Sequence, residues 1–511
     1  MLKNTSTNLI SIILERGFIA FTGIFLSILF ARTLGPSGLG DWKLLMSVQV
    51  AFLYLSTFGL GIMIFRYAAE FSANSRSKAL WELLKKTFPY FSISLSLIFI
   101  LLIWMYFFDR PSNSLIFTKE NSFLVAFFLF TSILSDVYFR PLITGLGWRS
   151  VVAIVQILNR LIIITIVTSL VYGDKLNLIQ AILVFSIANL LEIMLYFLFL
   201  QKKWWPRTKK ELKNVLDLSD LTKVKNFASN QWYFRIVQFF KEQAADGLLI
   251  VYLLNIISLG IYSAAAAIPV FLSSLSPGKL FFGFIVPKLV TGNKSTEKEK
   301  SLRIYMIFRI LQKSNIIFIW PLIAILTFSG SDILHLMFGE EFSSSLITFQ
   351  LLMISVIIST FADPYFLIAI SLEKSALTFQ VSLWLLLKFV MSLILIPYLG
   401  INGIAISSIV ISILTFLHYF LKLRVGGKRL FFPLKEALKV SSFICLILLV
   451  LTALNVLFSN FESFYLLVLS VFLFLFSYLI FIRNVKLFTP NEFFLLKKNI
   501  GKYIQIFFKE A

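Results

Sequence analysis

The sequence has very few of the residues that build disulfides and metal centres. Its 511 residues include one cysteine, Cys445, and two histidines, His335 and His418. One cysteine excludes a disulfide framework and a CxxC metal site, and two histidines argue against a His-rich metal centre. No phosphate-binding loop, nucleophile elbow or metal motif is found. We therefore predict that the chain is not an enzyme and uses no metal and no cofactor.

Acidic residues are also scarce, since 25 Asp and Glu stand against 47 Lys and Arg for a net charge of +22. Hydrophobic residues make up 59% of the chain, more than in soluble domains, so the class is integral membrane protein. Long continuous apolar runs favour helices over outer-membrane strands. Eight Lys or Arg lie within 202–225 and none within 329–343. By the positive-inside rule, this asymmetry predicts that both termini are cytoplasmic, and it removes the argument for nucleic acid binding.

Apolar runs of about 20 residues, long enough to cross a bilayer, predict fourteen transmembrane helices. They lie near 9–31, 43–65, 87–108, 122–144, 150–172, 178–200, 227–253, 259–287, 306–328, 344–371, 376–397, 402–422, 437–458 and 463–482. A shift of 220 residues lays spans 1–6 on spans 7–12, with Gly40 facing Gly260. Because six is even, the halves share one orientation, as in parallel-repeat transporters.

The predicted fold is therefore an all-α membrane protein with two pseudo-symmetric six-helix lobes and two extra C-terminal helices. The N-lobe (helices 1–6) covers 1–200, a cytoplasmic linker covers 201–226, and the C-lobe (helices 7–12) covers 227–422. Helices 13 and 14 occupy 437–482, and a basic cytoplasmic tail occupies 483–511.

A polar stripe runs through the seventh predicted span. Five residues recur at three- and four-residue steps, so on one α-helix they share a face with Lys241 at its flank: Gln231, Arg235, Gln238, Glu242 and Asp246. Each charge costs roughly 2.5 to 3.5 kcal/mol in lipid. The stripe therefore predicts a hydrated cavity inside a helical bundle. An amphipathic helix lying on the membrane surface is the alternative.

Cations deep within predicted spans are candidates for binding an anionic substrate, because arginine binds phosphate in bidentate fashion and lysine supplies a point charge. The set is Arg16, Arg235, Lys241, Arg160 and Lys388. For the last two, an interhelical polar pair is the alternative. Three further cations lie near predicted cytoplasmic ends, where snorkelling of a long side chain explains them: Arg309, Lys313 and Lys439.

Buried acids fall into two groups. Glu242 and Asp246 are four residues apart, where like charges repel unless a cation is near, so they and Asp363 are candidates for a coupled proton or Na⁺ site. Asp136 and Arg140 are also four apart and are predicted to form a structural ion pair.

Two stretches resemble a known family: ARTLGPSGLGDW (31–42) and STFGLGIMIFRYAAEF (56–71). They are similar to the opening signature of the polysaccharide-transporter branch of the multidrug/oligosaccharidyl-lipid/polysaccharide flippase superfamily. The matching residues are Leu34, Gly35, Pro36, Gly40, Gly59, Leu60, Arg66, Tyr67 and Glu70. The lipid II flippase branch has an Arg-Asp pair in span 1, where this sequence has Leu26 and Ser27. That departure weakens the lipid II interpretation.

The resemblance implies two six-helix lobes that alternately open a cationic cavity to each side of the bacterial inner membrane. It implies an undecaprenyl-diphosphate-linked oligosaccharide as substrate, flipped for O-antigen, capsule or exopolysaccharide assembly, and a lipid-tail groove on spans 13 and 14. Membrane lipids, a polysaccharide polymerase and chain-length machinery are the further partners implied. Two alternatives stay open. One is a cation-coupled multidrug exporter of the same superfamily, and the other is a membrane glycosyltransferase or polymerase that acts on the same lipid.

Overall fold

Helices dominate the computed structural model, as expected in lipid, where every backbone N–H and C=O must be bonded within the protein. The structure describes residues 2–73, 76–107, 116–204, 218–240, 242–280, 297–372, 374–457, 463–485, 487–490 and 492. Within these ranges lie nineteen α-helices, numbered in chain order: α1 Leu2–Leu55, α2 Leu60–Ala73, α3 Ser77–Phe107, α4 Ser122–Leu134, α5 Arg140–Gly145, α6 Arg149–Tyr172, α7 Leu178–Lys203, α8 Leu218–Phe239, α9 Gln243–Leu253, α10 Ile256–Ser274, α11 Pro277–Leu280, α12 Glu297–Ser314, α13 Trp320–Phe328, α14 Gly330–Phe338, α15 Leu346–Ser371, α16 Ser375–Leu399, α17 Asn402–Lys422, α18 Leu434–Leu457 and α19 Ser463–Asn484.

Short elements join some of these helices. A 3₁₀ helix spans Glu340–Ser345. The strands β1 Arg424–Val425 and β2 Lys428–Arg429 pair antiparallel. The glycines between them have φ of 54° and 76°, as the tight turn of a two-residue hairpin requires.

Twelve stretches of the described chain are long and apolar enough to cross a membrane. The first of these, Glu15–Leu55, has 41 residues and measures about 60 Å at 1.5 Å per residue. This length is about twice the thickness of a bilayer core, which is about 30 Å. The stretch contains most of predicted span 1 and the start of predicted span 2. Predicted span 7 is divided between α8 and α9. The all-α membrane fold is thus confirmed, while the number fourteen stays a prediction.

A sharp bend divides α1 at Gly35. Its φ of 66° lies in the left-handed region, which glycine occupies without strain. Pro36 follows and disfavours the α conformation at the residue before it, yet its own fixed φ suits the first turn of the next segment. The Gly-Pro pair therefore ends one helical segment and starts another.

The segment after this bend packs against α10 with its backbone in contact. A Cβ on Gly40 would lie 2.1 Å from the carbonyl oxygen of Ile256, and a Cβ on Gly260 would lie 1.9 Å from that of Pro36. These contacts are reciprocal, because both Pro36 to Ile256 and Gly40 to Gly260 are steps of 220 residues. Reciprocal contacts are the mark of a two-fold axis between related segments. The repeat spacing found in the sequence therefore reappears in the packing of α1 against α10.

Two π-helical segments interrupt the α-helices, at Ser135–Phe139 and Asn315–Ile319. A proline lies two residues after the end of each segment, at Pro141 and Pro321. Proline has no N–H to donate, and its ring clashes with the carbonyl four residues earlier. The wider π turn carries an extra residue at this position, and such bulges often occur at functional sites.

The chain packs as two units, Met1–Ser263 with Ser392–Gly400, and Ala264–Met391 with Ile401–Ala511. In the first unit, α1 packs against α6 and α9, and α4 packs against α7. In the second, α15 packs along α17, and α18 and α19 share a core with the second π segment. The lobe boundaries at 1–200, 201–226 and 227–422 stay a prediction.

Candidate functional site

Glu192 lies at the centre of a buried polar network in the first unit. Its side chain is only 1% exposed. Arg140 donates to both of its oxygens, from Nε at 2.6 Å and from Nη2 at 3.0 Å. Ser135 Oγ donates to the same carboxylate at 2.9 Å, and the Asn159 amide contacts it as well. The bidentate pair of Arg140 and Glu192 is among the stronger side-chain interactions. Together with Ser135 and Asn159, it joins α5, α6, α7 and the first π segment.

The network continues to α1 through a second carboxylate. Arg140 also contacts Asp136, the partner predicted from their spacing. With its amide oriented to suit both neighbours, Gln156 accepts from Arg140 Nε at 2.9 Å and donates to Glu15. Glu15 is buried and lies 2.8 Å from Arg149 Nη2. The Asp136–Arg140 pair is therefore one part of a network that connects four helices, α1, α5, α6 and α7.

Three candidate cations act electrostatically on the carboxylates of this network. The charges of Arg160 and Arg235 act on Asp136, and that of Arg16 acts on Glu15. Arg16 is exposed, while the other two are half-buried. Among the described residues that these interactions connect, five arginines stand against four carboxylates, an excess of one positive charge: Arg16, Arg140, Arg149, Arg160 and Arg235 against Glu15, Asp136, Glu192 and Glu242.

Two helix breaks lie side by side in the first unit. The chain leaves helix between Leu55 and Leu60, where Phe58 and Gly59 have φ of 50° and 73°. It leaves helix again between α8 and α9. Trp232 Nε1 on α8 donates to the Leu55 carbonyl at 2.8 Å, which satisfies one of the acceptors that a helix end leaves without a partner. This bond holds the end of α1 against the body of α8.

Polar side chains gather where the breaks meet. The Tyr54 hydroxyl donates to Glu242 Oε1 at 3.0 Å. Arg235 Cζ lies 5.3 Å from the centroid of the Tyr54 ring, within cation–π range. Broken helices expose backbone groups, and membrane transporters place ion and substrate sites at them. We call Tyr54, Arg235 and Glu242 the break cluster.

The prediction of one continuous helical stripe over 231–246 is wrong. The helix α8 ends at Phe239, and Glu242 has an extended backbone with ψ of 146°. Glu242 and Asp246 therefore do not repel each other as an i,i+4 pair on one helix. Glu242 accepts from Tyr54, whereas Asp246 is buried and accepts from the Tyr262 hydroxyl at 3.1 Å. Lys241 lies outside the described residues.

The other candidates lie in the second unit. Lys388 on α16 is buried. Asp363 Oδ2 on α15 lies 3.8 Å from Lys279 Nζ on α11, and Lys279 also donates to Ser273 Oγ at 2.6 Å. A Cβ on Gly278 would lie 3.3 Å from that of Asp363, so the glycine permits the close approach of α11.

The prediction that Arg309 and Lys313 snorkel is also wrong. Lys313 is only 1% exposed and lies 2.8 Å from both Glu436 and Glu492. Arg309 Nε lies 3.1 Å from Glu492 Oε1. A buried lysine is tolerated because carboxylates compensate the loss of water. Glu492 lies 179 residues away in sequence, so no local pattern could have signalled the pairing.

Residues 1–276 match the family described as polysaccharide biosynthesis protein. The chain belongs to that family. Its fold is similar to that of the lipid II flippase MurJ in an inward closed conformation, with a TM-score of 0.68 and 15% identity over 93% of this chain and 97% of that chain. It is also similar to an inward-facing multidrug resistance MATE transporter of the MOP superfamily, with a TM-score of 0.50 and 15% identity over 80% of this chain and 94% of that one. No curated protein matches the sequence.

These findings confirm the predicted resemblance to the polysaccharide family and show that the fold is similar to those of a lipid II flippase and a multidrug resistance transporter. Both solved relatives are transport proteins rather than enzymes. At 15% identity, the likeness to the lipid II flippase concerns the fold alone, and Leu26 and Ser27 still separate this sequence from the signature of that branch.

Proposed function

We propose that this family member flips undecaprenyl-diphosphate-linked oligosaccharide units across the bacterial inner membrane by alternating access. The units serve the assembly of O-antigen, capsule or exopolysaccharide. A lipid-linked sugar has a tail that stays in hydrocarbon and a charged head that cannot enter it. The protein must therefore supply a polar path with cations for the diphosphate.

The observation that carries the proposal is the surplus of arginine in the first unit. Arg140 and Arg149 are held in ion pairs with carboxylates. Arg16, Arg160 and Arg235 lie around them and are exposed or half-buried. A diphosphate beside these three would be attracted by the net positive charge, and the paired arginines would keep the surrounding helices in place. Lys241 and Lys388 complete the proposed set of head-group cations.

Transport by reconstituted protein tests this role. Vesicles carry a fluorescent undecaprenyl-diphosphate oligosaccharide, and the fraction that a membrane-impermeant quencher reaches is followed in time. We expect Arg160→Gln and Arg235→Gln each to slow flipping about 10- to 100-fold, since one charge-assisted hydrogen bond contributes about 1.5–3 kcal/mol. Arg429→Gln, in the exposed hairpin, is the control and should leave the rate unchanged. Normal flipping by both variants, or transport of drug cations instead of the lipid, would contradict the proposal.

We further propose that Glu242, Asp246 and Asp363 couple flipping to a proton or Na⁺ gradient. Glu242 lies at a helix break beside a cation and a tyrosine, the surroundings in which transporters bind ions. Each acid is replaced by its amide, and flipping is measured with and without each gradient. Loss of gradient dependence in at least one variant is expected. If all three variants keep it, as the exposed control Glu341→Gln should, the coupling role is excluded.

The localisation and the partners belong to the same proposal. Both termini are expected in the cytoplasm, because the basic residues concentrate on that side. A polymerase and chain-length machinery would act on the flipped product, and membrane lipids surround the spans. Accessibility of cysteines introduced at 202–225 and 329–343 to an impermeant thiol reagent tests the orientation.

A further inference from the structure

Lys43 is a cation inside the first membrane-spanning stretch, in the segment of α1 that follows the Gly35 bend. Its side chain is half-buried. Its Nζ donates to Ser27 Oγ at 3.2 Å, which is the one hydrogen bond of this ammonium to a described residue. Since an ammonium carries three N–H donors, most of its capacity to donate is not used by the described part of the chain.

Other cations inside the spans are compensated by acids. Arg149 lies 2.8 Å from Glu15, and Lys313 lies 2.8 Å from Glu492. A charge within a membrane is costly unless water or an opposite charge compensates it. Lys43 has no ion pair with a described residue. Its charge is therefore left for water or for an anion that comes from outside the chain.

Snorkelling to the membrane surface does not explain this ammonium. Lys43 and Ser27 lie eight residues on either side of Gly35, which is about 12 Å along each segment at 1.5 Å per residue. Because Lys43 Nζ bonds Ser27, the charge stays at this depth, whereas a snorkelling side chain would carry it toward the bend. The ammonium is therefore held between the two segments of α1.

The Lys43 contact lies on the polar face of the first segment of α1. Gly23 and Ser27 follow Arg16 by seven and eleven residues, so at about 100° per residue the three share one face. A Cβ on Gly23 would meet no described atom within 4 Å, so this face borders open space. Phe21 and Phe25 stack on the other side of the helix, where Phe21 is 60% exposed. The aromatic side suits lipid, and the side with the arginine suits water.

Lys43 stands apart from the arginines along the same faces of α1. It precedes Tyr54 of the break cluster by eleven residues, about three turns and about 16 Å, and therefore shares a face with it. Ser27 lies an equal step beyond Arg16. The Lys43 ammonium is thus about 16 Å closer to the Gly35 bend than the arginines are.

We propose that Lys43 binds the diphosphate of the head group after it has left the arginines, as a second position on its path. This inference rests on the proposed function and adds a residue to it. In the proposed orientation the Gly35 bend is on the outer side, so Lys43 meets the head group on its way out. A lysine supplies a point charge without the bidentate fork of arginine, which suits a position that must also release the anion.

The same flipping assay tests this position. We expect Lys43→Gln to slow flipping about 10- to 100-fold, as for the loss of one charge-assisted hydrogen bond. Lys43→Arg keeps the charge and should keep most of the rate. Lys175→Gln, in an exposed loop, is the control and should flip lipid at the normal rate.

Stability separates a binding role from a structural one. Lys43→Met removes a charge without a carboxylate partner, while Ser27 keeps its bond to the Gly23 carbonyl, so unfolding by SDS in mixed micelles should need more SDS. Ser27→Asp supplies Lys43 with a carboxylate. It should raise the SDS midpoint and slow flipping to the level of Lys43→Gln, because the ammonium is then occupied. Ser27→Asn adds no charge and is the matched control, which should change neither property.

Access of water and substrate to Lys43 is tested with an introduced cysteine. Lys43→Cys and Phe21→Cys are each made in a Cys445→Ser background, since Cys445 is exposed. An anionic methanethiosulfonate needs a hydrated thiolate, so it should modify position 43 and not the lipid-facing position 21. The undecaprenyl-diphosphate oligosaccharide should slow modification at 43, and the same amount of phosphatidylglycerol should not.

Normal flipping by Lys43→Gln beside slow flipping by Arg235→Gln would refute the role of Lys43 and leave the proposed function standing. Normal flipping by both variants would refute the proposed function as well. A lower SDS midpoint for Lys43→Met would show that the lysine is structural. No modification of Lys43→Cys, or equal protection by phosphatidylglycerol, would show that the head group does not reach this position.

Discussion

Glu192→Gln is expected to destabilise the first unit strongly, although it changes only one atom. Glu192 is 1% exposed, and its two oxygens accept hydrogen bonds from Arg140, Ser135 and Asn159. A glutamine would turn its NH₂ group toward one of these donors and leave Arg140 with Asp136 as its remaining carboxylate partner. Breaking a buried ion pair from one side costs about 3–5 kcal/mol. We expect about 3 kcal/mol, because Arg140 keeps one partner.

Unfolding in mixed micelles of increasing SDS content measures this free energy. Arg140→Gln and the double variant complete a cycle. The double variant should cost less than the sum of the single variants by about 0.5–3 kcal/mol, because both remove the same pair. Glu341→Gln, at an exposed site, should change stability by no more than about 0.5 kcal/mol. If Glu192→Gln changes it as little, or if the two variants are additive, Glu192 does not anchor these helices.

Three further substitutions test the packing. Gly260→Ala should cost at least about 3 kcal/mol in the same unfolding assay, because its Cβ would lie 1.9 Å from a carbonyl oxygen of α1. Gly23→Ala is the control and should be tolerated, because its Cβ meets no described atom within 4 Å. Lys313→Met should cost about 3 kcal/mol, at the low end for a broken buried ion pair, because Arg309 keeps its contacts with Glu436 and Glu492. The exposed Lys439→Met should change thermal stability little, and equal effects would refute the burial of Lys313. Trp232→Phe should cost about 1 kcal/mol and speed amide exchange at the end of α1, where the indole bonds the Leu55 carbonyl. Unchanged exchange there would show that the indole bond does not hold this helix end.

The arginines of the first unit divide into two classes that a sequence cannot separate. Arg140 and Arg149 are fixed by carboxylates on other helices. Replacing either should therefore destabilise the unit, and a lower flipping rate in such a variant would follow from the loss of stability. Arg160 and Arg235 are half-buried and influence Asp136 without an ion-pair contact to it among those resolved. Stability and flipping measured on the same variants will distinguish the two classes.

Much of the fold could be predicted, because the length of an apolar run and the distribution of Lys and Arg among the loops are local properties of the sequence. They determine how a chain lies in a bilayer. The repeat shift of 220 residues aligned Gly40 with Gly260 in the sequence, and the structure places both at the contact of α1 with α10. The site was harder to predict. Periodicity reveals which residues would share a face of a helix, but it does not reveal where the helix stops, and the break before Gln243 separated Glu242 from Asp246.

The sequence by itself determined that this is a helical membrane protein of a polysaccharide biosynthesis family, because composition, apolar runs and the glycine-rich signature lie within single segments. Tertiary structure alone decided which charges are paired. Glu192 meets Arg140 across 52 residues, and Glu492 meets Lys313 across 179. Partners so far apart in sequence produce no periodic pattern. The packing of the helices determines which residue pairs with a buried charge, because that residue must compensate the loss of water.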